Sequence, residues 1–134
     1  IVLVTQPEIA ALVDAYAVIK CVAQLKSSAK FLIVVNRVGT PGRGEMAFQR
    51  LMEVASQNVG VELRYLGEIP DDESVMQHRL GQLPLIATEP EAPTSMAVTA
   101  LSERLIQICG GLKPRTVPGD EGIQARFRQH RLFM

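Results

Sequence analysis

Tryptophan is missing from this chain and aromatic residues make up only 4% of it, so a platform that stacks bases or sugars is not expected. Neither sign of charge is in excess. Fourteen basic residues balance 14 acidic ones, which argues against a general nucleic-acid surface, and no direct nucleic-acid contact is expected. Cysteine is confined to Cys21 and Cys109, on separate expected helices and without a CxxC partner; both read as small apolar fillers in a reducing compartment. No apolar run approaches the ~20 residues of a membrane span. No basic segment precedes the first apolar stretch, so no signal peptide is expected and the chain reads as cytoplasmic. His78 and His130 are far apart, each without a second imidazole or thiol at metal-ligand spacing, and no metal site is expected. No Ser–His–Asp or Cys–His constellation is present, so no catalytic residue is assigned.

What is there is ordinary globular material: 47% apolar and 21% charged residues in a chain of 134. A domain of that size buries roughly two-thirds of its unfolded surface. The charge is unevenly placed. Residues 1–112 hold nine basic and 12 acidic side chains, whereas 113–134 hold five and two. This divides the chain into an α/β part, 1–112, and a basic tail, 113–134.

Strand and helix patterns alternate along the first part. The wholly apolar run Ile1–Val4 precedes a helix over about 9–26, with Ile9, Leu12, Val13, Tyr16, Ile19 and Ala23 at helical spacing. Phe31–Val35 is a second apolar run, followed by a helix over about 45–58 that presents Met46, Phe48, Leu51, Met52 and Ala55. Val61–Ile69 forms the third strand. Helices over about 73–80 and 95–109 complete the pattern, with a Pro-rich lead-in between them. Apolar strands alternating with helices predict a parallel sheet flanked by helices on both faces, with consecutive strands adjacent. One edge of Ile1–Val4 can pair with Phe31–Val35; nothing else obviously pairs with the other edge, and an open apolar edge invites a partner.

Several short motifs invite a choice between chemistry and packing. In "GTPGRGEM", Gly39 and Gly44 have phosphate-loop spacing, but Glu45 and Met46 stand where that loop needs Lys and Ser/Thr. A carboxylate has the wrong sign for a triphosphate, so this stretch reads as a turn. "TQPE" fits a capping box from Thr5 to Glu8, the commoner use of that pattern. Its place at a strand's carboxyl end is also where doubly wound sheets bind ligands. In "PDDES", Asp71, Asp72 and Glu73 have the chemistry of magnesium ligands, yet a helix cap is the stronger reading. Pro70 fixes that turn. Asn36 and Arg37 end the second strand, and an Asn amide can pair with both the donor and acceptor edges of a base. The tail "GIQARFRQHRLFM" mixes Ile123, Phe127 and Phe133 with Arg126, Arg128 and Arg131, an imperfect amphipathic pattern suited to a membrane interface or to partner docking.

Three ordered motifs carry a family resemblance over roughly residues 1–110: Asp14-Ala15-Tyr16-Ala17, Asn36-Arg37-Val38 and Gly67-x-Ile69-Pro70-x-Asp72. They resemble the C-terminal half of MinD/ParA-type ATPases, P-loop proteins with a doubly wound sheet, and within that group the FlhG/FleN regulators of flagellar number. The resemblance implies that Asn36, Arg37, Pro70, Asp71 and Asp72 frame the adenine. It places Glu8 and Asp14 on the face that meets a second copy across the nucleotide. It implies ATP with magnesium as the cofactor of the parent protein, a homodimer, and the flagellar GTPase FlhF, flagellar switch proteins or a flagellar transcription activator as partners. It also implies a tail that docks on an anionic membrane, peripheral to its inner face; deleting residues 122–134 is then expected to reduce co-sedimentation with anionic vesicles.

The phosphate loop of that family is not among these residues. The chain alone is therefore expected neither to hydrolyse ATP nor to bind it tightly. Two alternatives stand beside this reading: a non-enzymatic module that dimerises and binds a partner, and a partitioning or cellulose-synthesis ATPase of the same family.

Overall fold

The computed structural model describes residues 1–78 and 83–110. Within them, three parallel strands, β1 (Val2–Thr5), β2 (Lys30–Val38) and β3 (Glu62–Pro70), lie in the order β1-β2-β3. The connecting helices are α1 (Ile9–Leu25) and α2 (Arg43–Asn58); after β3 come α3 (Glu73–Gln77), α4 (Leu85–Thr88) and α5 (Pro93–Ile108). This is an α/β fold consistent with a P-loop NTPase-like domain. The expected neighbour relations hold. Val2 to Thr5 pair with Leu32 to Val35, and β2 continues the ladder onto β3.

Side-chain alternation along β2 explains why both faces are covered. Phe31, Ile33 and Val35 point to one side, where Leu12, Ala15 and Ile19 of α1 and Ala47, Phe48 and Leu51 of α2 close the larger core. Leu32 and Val34 point to the other, where a smaller core forms with Leu66 of β3 and Leu101 of α5. That second layer does not reach β1. Val2 and Val4 remain 45% and 55% exposed, and among the described residues β1 pairs only with β2.

Other expectations need correction. Ile9 and Val13 are 74% and 59% exposed rather than in the core, and with Tyr16, Arg50, Leu51 and Val54 they line an apolar groove between α1 and α2. Met46 is exposed, while Ala47, which the pattern passed over, is buried. Cys21 and Cys109 are exposed thiols, not apolar fillers. The capping box does not form. Thr5 ends β1 and its hydroxyl donates to the Ala11 carbonyl at 3.0 Å, while Glu8 is the N-cap residue of α1 without a side-chain cap bond. The Pro-rich stretch contains the short helix α4, and α5 begins at Pro93, two residues before the expected start. Among the described residues, no helix is long and apolar enough to cross a membrane.

Candidate functional site

The site is built where β2 and β3 end. The β2–β3 ladder shifts register once between Ile33↔Tyr65 and Val34↔Gly67, breaks again after Val35↔Glu68 and resumes at Val38↔Pro70, so Asn36 and Arg37 form a bulge opposite Ile69. Arg37 sits in the left-handed region at φ 58°, a conformation that costs a non-glycine residue about 1–3 kcal/mol. Two contacts hold it there. Its backbone N–H donates to the Asn36 Oδ1 at 2.9 Å, and its Nε faces the Asp71 carboxylate at 3.4 Å. The Asp71 N–H in turn donates to the Val38 carbonyl at 3.1 Å, tying the two strand ends together.

The bond from Arg37 N–H fixes which end of the Asn36 amide is which. Oδ1 faces its own backbone with one lone pair engaged, which leaves the Nδ2 donors and the second lone pair for another partner. Asn36 is half-buried, so that amide is oriented rather than free to rotate in water.

Asp72 plays a different part. It is the N-cap of α3: one carboxylate oxygen accepts from the Ser74 N–H at 2.9 Å, and the other accepts from the Thr94 N–H at 2.9 Å. The hydrogen bonds from Thr94 and then Ser74 hold its carboxyl below the usual range, because they favour the charged form. The capping reading of the acidic stretch is therefore correct for Asp72, which also reaches a second helix.

These residues surround one hollow of about 440 Å³, lined by Asn36, Arg37, Pro70, Asp71 and Asp72 together with Ile69, Val75, Met76 and Thr94. All five residues that the resemblance placed around a base thus converge on a single cavity at the carboxyl ends of parallel strands. Val75 and Met76 of α3 were not anticipated; 48% and 79% exposed, they add an apolar wall. Thr94 was missed because α5 was expected to start at Ser95. Pro93, at the first helical position, is the signal that marks the true start.

A neighbouring hollow of about 290 Å³ lies at the open side of β1, lined by Leu3, Val4, Thr5, Gln6, Asp14, Val18 and, again, Asn36. Asn36 joins the two. Asp14 is exposed on α1 within this second hollow, whereas Glu8, exposed at the start of α1, lines neither. The tail residues Ile123, Arg126, Phe127, Arg128, Arg131 and Phe133 lie outside the described residues.

No family model matches the chain. Among curated proteins it is 30% identical over 105 residues to the antiactivator FleN of Pseudomonas aeruginosa, covering 78% of this chain and 38% of that protein. It is 29% identical over 135 residues to the flagellum site-determining protein YlxH of Helicobacter pylori, covering 96% of this chain and 43% of that protein. The chain thus spans less than half the length of the curated relatives it matches. With two flagellar regulators matched across most of its residues, and a parallel α/β sheet of the kind that the ordered motifs imply, the chain is a FlhG/FleN-like protein of the flagellum-related MinD/ParA family.

Proposed function

We propose that this chain is the base-binding portion of an ATP-dependent dimerisation switch that regulates flagellar number or placement. The observation that carries the proposal is the convergence of Asn36, Arg37, Pro70, Asp71 and Asp72 on one cavity at the ends of β2 and β3. The oriented Asn36 amide offers a donor–acceptor pair suited to the N6 and N7 edge of adenine, and Val75 and Met76 offer apolar contact to the ring. The triphosphate and magnesium would be held by other parts of the parent protein. Glu8 and Asp14 would face a second copy from the start of α1, beside the hollow that shares Asn36 with the base site. The tail would dock on an anionic membrane. The name of the Pseudomonas relative, an antiactivator, favours a flagellar transcription activator among the partners over FlhF or the switch proteins.

The proposal is tested by titrating the native gene product with a fluorescent ATP analogue in the presence of magnesium. Asn36→Ala removes about one net hydrogen bond's worth of base contact and is expected to weaken binding about tenfold. Equal affinities for the wild type and the variant, or no binding by either, would sink the base-site assignment. A second reading, a non-enzymatic dimerisation module, is favoured by the exposed edge of β1 with Val2 and Val4. That reading requires a defined dimer without nucleotide, which sedimentation velocity distinguishes from a dimer formed only with ATP.

A further inference from the structure

The base cavity has walls from elements that are distant in sequence. Asn36 and Arg37 come from β2, Pro70 and Asp71 from the end of β3, Val75 and Met76 from α3, and Thr94 from α5. The walls on β2 and β3 are held by the ladder pairs that flank the bulge, Val35↔Glu68 and Val38↔Pro70. The wall on α3 is not. This helix has five residues, none of them buried, and a helix so short has no stability of its own.

One side chain addresses this weakness. The two oxygens of Asp72 are divided between the first turn of α3, through the Ser74 N–H, and the first turn of α5, through the Thr94 N–H, each at 2.9 Å. Both acceptors meet backbone donors that the helix geometry leaves without an intrahelical partner, and both helix dipoles present their positive ends to the same carboxylate. The α5 end of the link is firm, because α5 packs Leu101 and Leu105 against Val34, Leu66 and Ile69 of the sheet. Asp72 therefore ties a helix with no buried residue to one anchored in the second core.

We infer that Asp72 is a positioning residue that holds α3 and the start of α5 at a fixed separation and so sets the shape of the cavity beneath them. This gives Asp72 a role through Val75, Met76 and Thr94 rather than by direct contact with the base. It rests on the base-site reading for its function, though not for its geometry. The depressed carboxyl pKa is in keeping with a carboxylate that stays charged and doubly bonded.

The test follows hydrogen exchange at single amides of the native gene product, alongside affinities for ATP and for inorganic tripolyphosphate, which has no base. Asp72→Ala is expected to raise exchange at both Ser74 and Thr94 at least tenfold. It should weaken ATP about tenfold and leave tripolyphosphate binding unchanged. Asp72→Asn guards against a variant that fails to fold: asparagine keeps a good N-cap oxygen for Ser74 but turns an amide donor toward the Thr94 N–H. Only the Thr94 amide should then exchange faster, with the same selective loss of ATP. Unchanged exchange at Thr94 in both variants overturns the inference, as does a parallel loss of ATP and tripolyphosphate or an unaltered ATP affinity. If the wild type binds no ATP while both amides respond as expected, the clamp stands and the base-site reading falls.

Discussion

Gly67→Ala is expected to destabilise the protein by about 3 kcal/mol, although it adds a single methyl group. Gly67 lies at φ 149° in β3, outside the range that an L side chain readily adopts. The ladder shows why the chain takes that shape. Ile33 pairs with Tyr65 and Val34 with Gly67, so Leu66 is the extra residue of a bulge, and its side chain turns into the second core. There is also no room. A Cβ on Gly67 would come within 2.8 Å of Leu101 Cδ2 and 2.9 Å of Arg104 Nη1, and the latter donates to the Leu66 carbonyl at 3.0 Å. Strain at φ and overpacking against α5 act together, each contributing on the order of 1–3 kcal/mol. The midpoint of urea denaturation should fall accordingly. Truncating Leu101 as well should recover part of the overpacking cost in a double-mutant cycle, because the two sites are in contact. A loss below about 1 kcal/mol would show that α5 slides away freely, and the anchoring of that helix would need another explanation.

The same glycine marks how far the residues could be read in advance. Its place in the Gly-x-Ile-Pro-x-Asp motif was visible, but the reason for it was not, since a bulge leaves no mark in hydrophobic periodicity. Two apolar runs announced β1 and β2, and the apolar residues Leu63, Tyr65, Leu66 and Ile69 among the charges of Val61–Ile69 announced β3, because each strand has at least one face in a core; parallel pairing followed from the helices between them. Asn36 and Arg37 read as the end of a strand, whereas β2 continues past them to Val38 after the bulge. Local patterns failed where tertiary contacts compete. Thr5 matched a capping box, yet it remains in β1 and donates to Ala11 instead. Ile9 and Val13 matched the apolar spacing of α1, but spacing cannot say whether anything covers a face, and here both line an exposed groove. Of the site, Asn36, Arg37, Pro70, Asp71 and Asp72 were legible through the motifs they carry. Thr94 was not, because its place beside the cavity depends on a helix that returns from 22 residues further along the chain to meet Asp72. Nor were Val75 and Met76, because no motif marks which face of the short helix α3 borders the cavity.

Phe31→Ala is expected to cost about 4 kcal/mol, and to do so without altering the candidate site. Phe31 is the second residue of β2, pairs with Leu63 in register and is 0% exposed, so its ring has no solvent-facing side to give up. It belongs to the core in which Ile19 of α1 and Leu51 of α2 are also sealed, at 0% and 1% exposure. Removing the ring forfeits its transfer free energy and leaves a cavity bounded by elements that α1, α2 and the sheet hold in place. The neighbouring ion pair cannot compensate. Lys30 and Glu62 lie 3.3 Å apart with side chains 73% and 40% exposed, and such surface pairs contribute only about 0–1 kcal/mol. Phe31→Leu should lose much less, roughly 1 kcal/mol, because most of the volume remains. Val4→Thr, on the uncovered face of β1, should stay within about 0.5 kcal/mol. Equilibrium denaturation of the three variants orders them, and a small loss for Phe31→Ala would mean that the first core is looser than its sealed side chains imply. The position adds a second expectation. Phe31 lies at the amino end of β2, while Asn36 and Arg37 lie at its carboxyl end beyond Val34 and Val35, whose ladder to Gly67 and Glu68 is intact. On the proposed base-site reading, the folded fraction of the native gene product carrying Phe31→Ala should therefore have the same affinity for the fluorescent ATP analogue as the wild type, separating a residue that holds the sheet from those that the sheet presents.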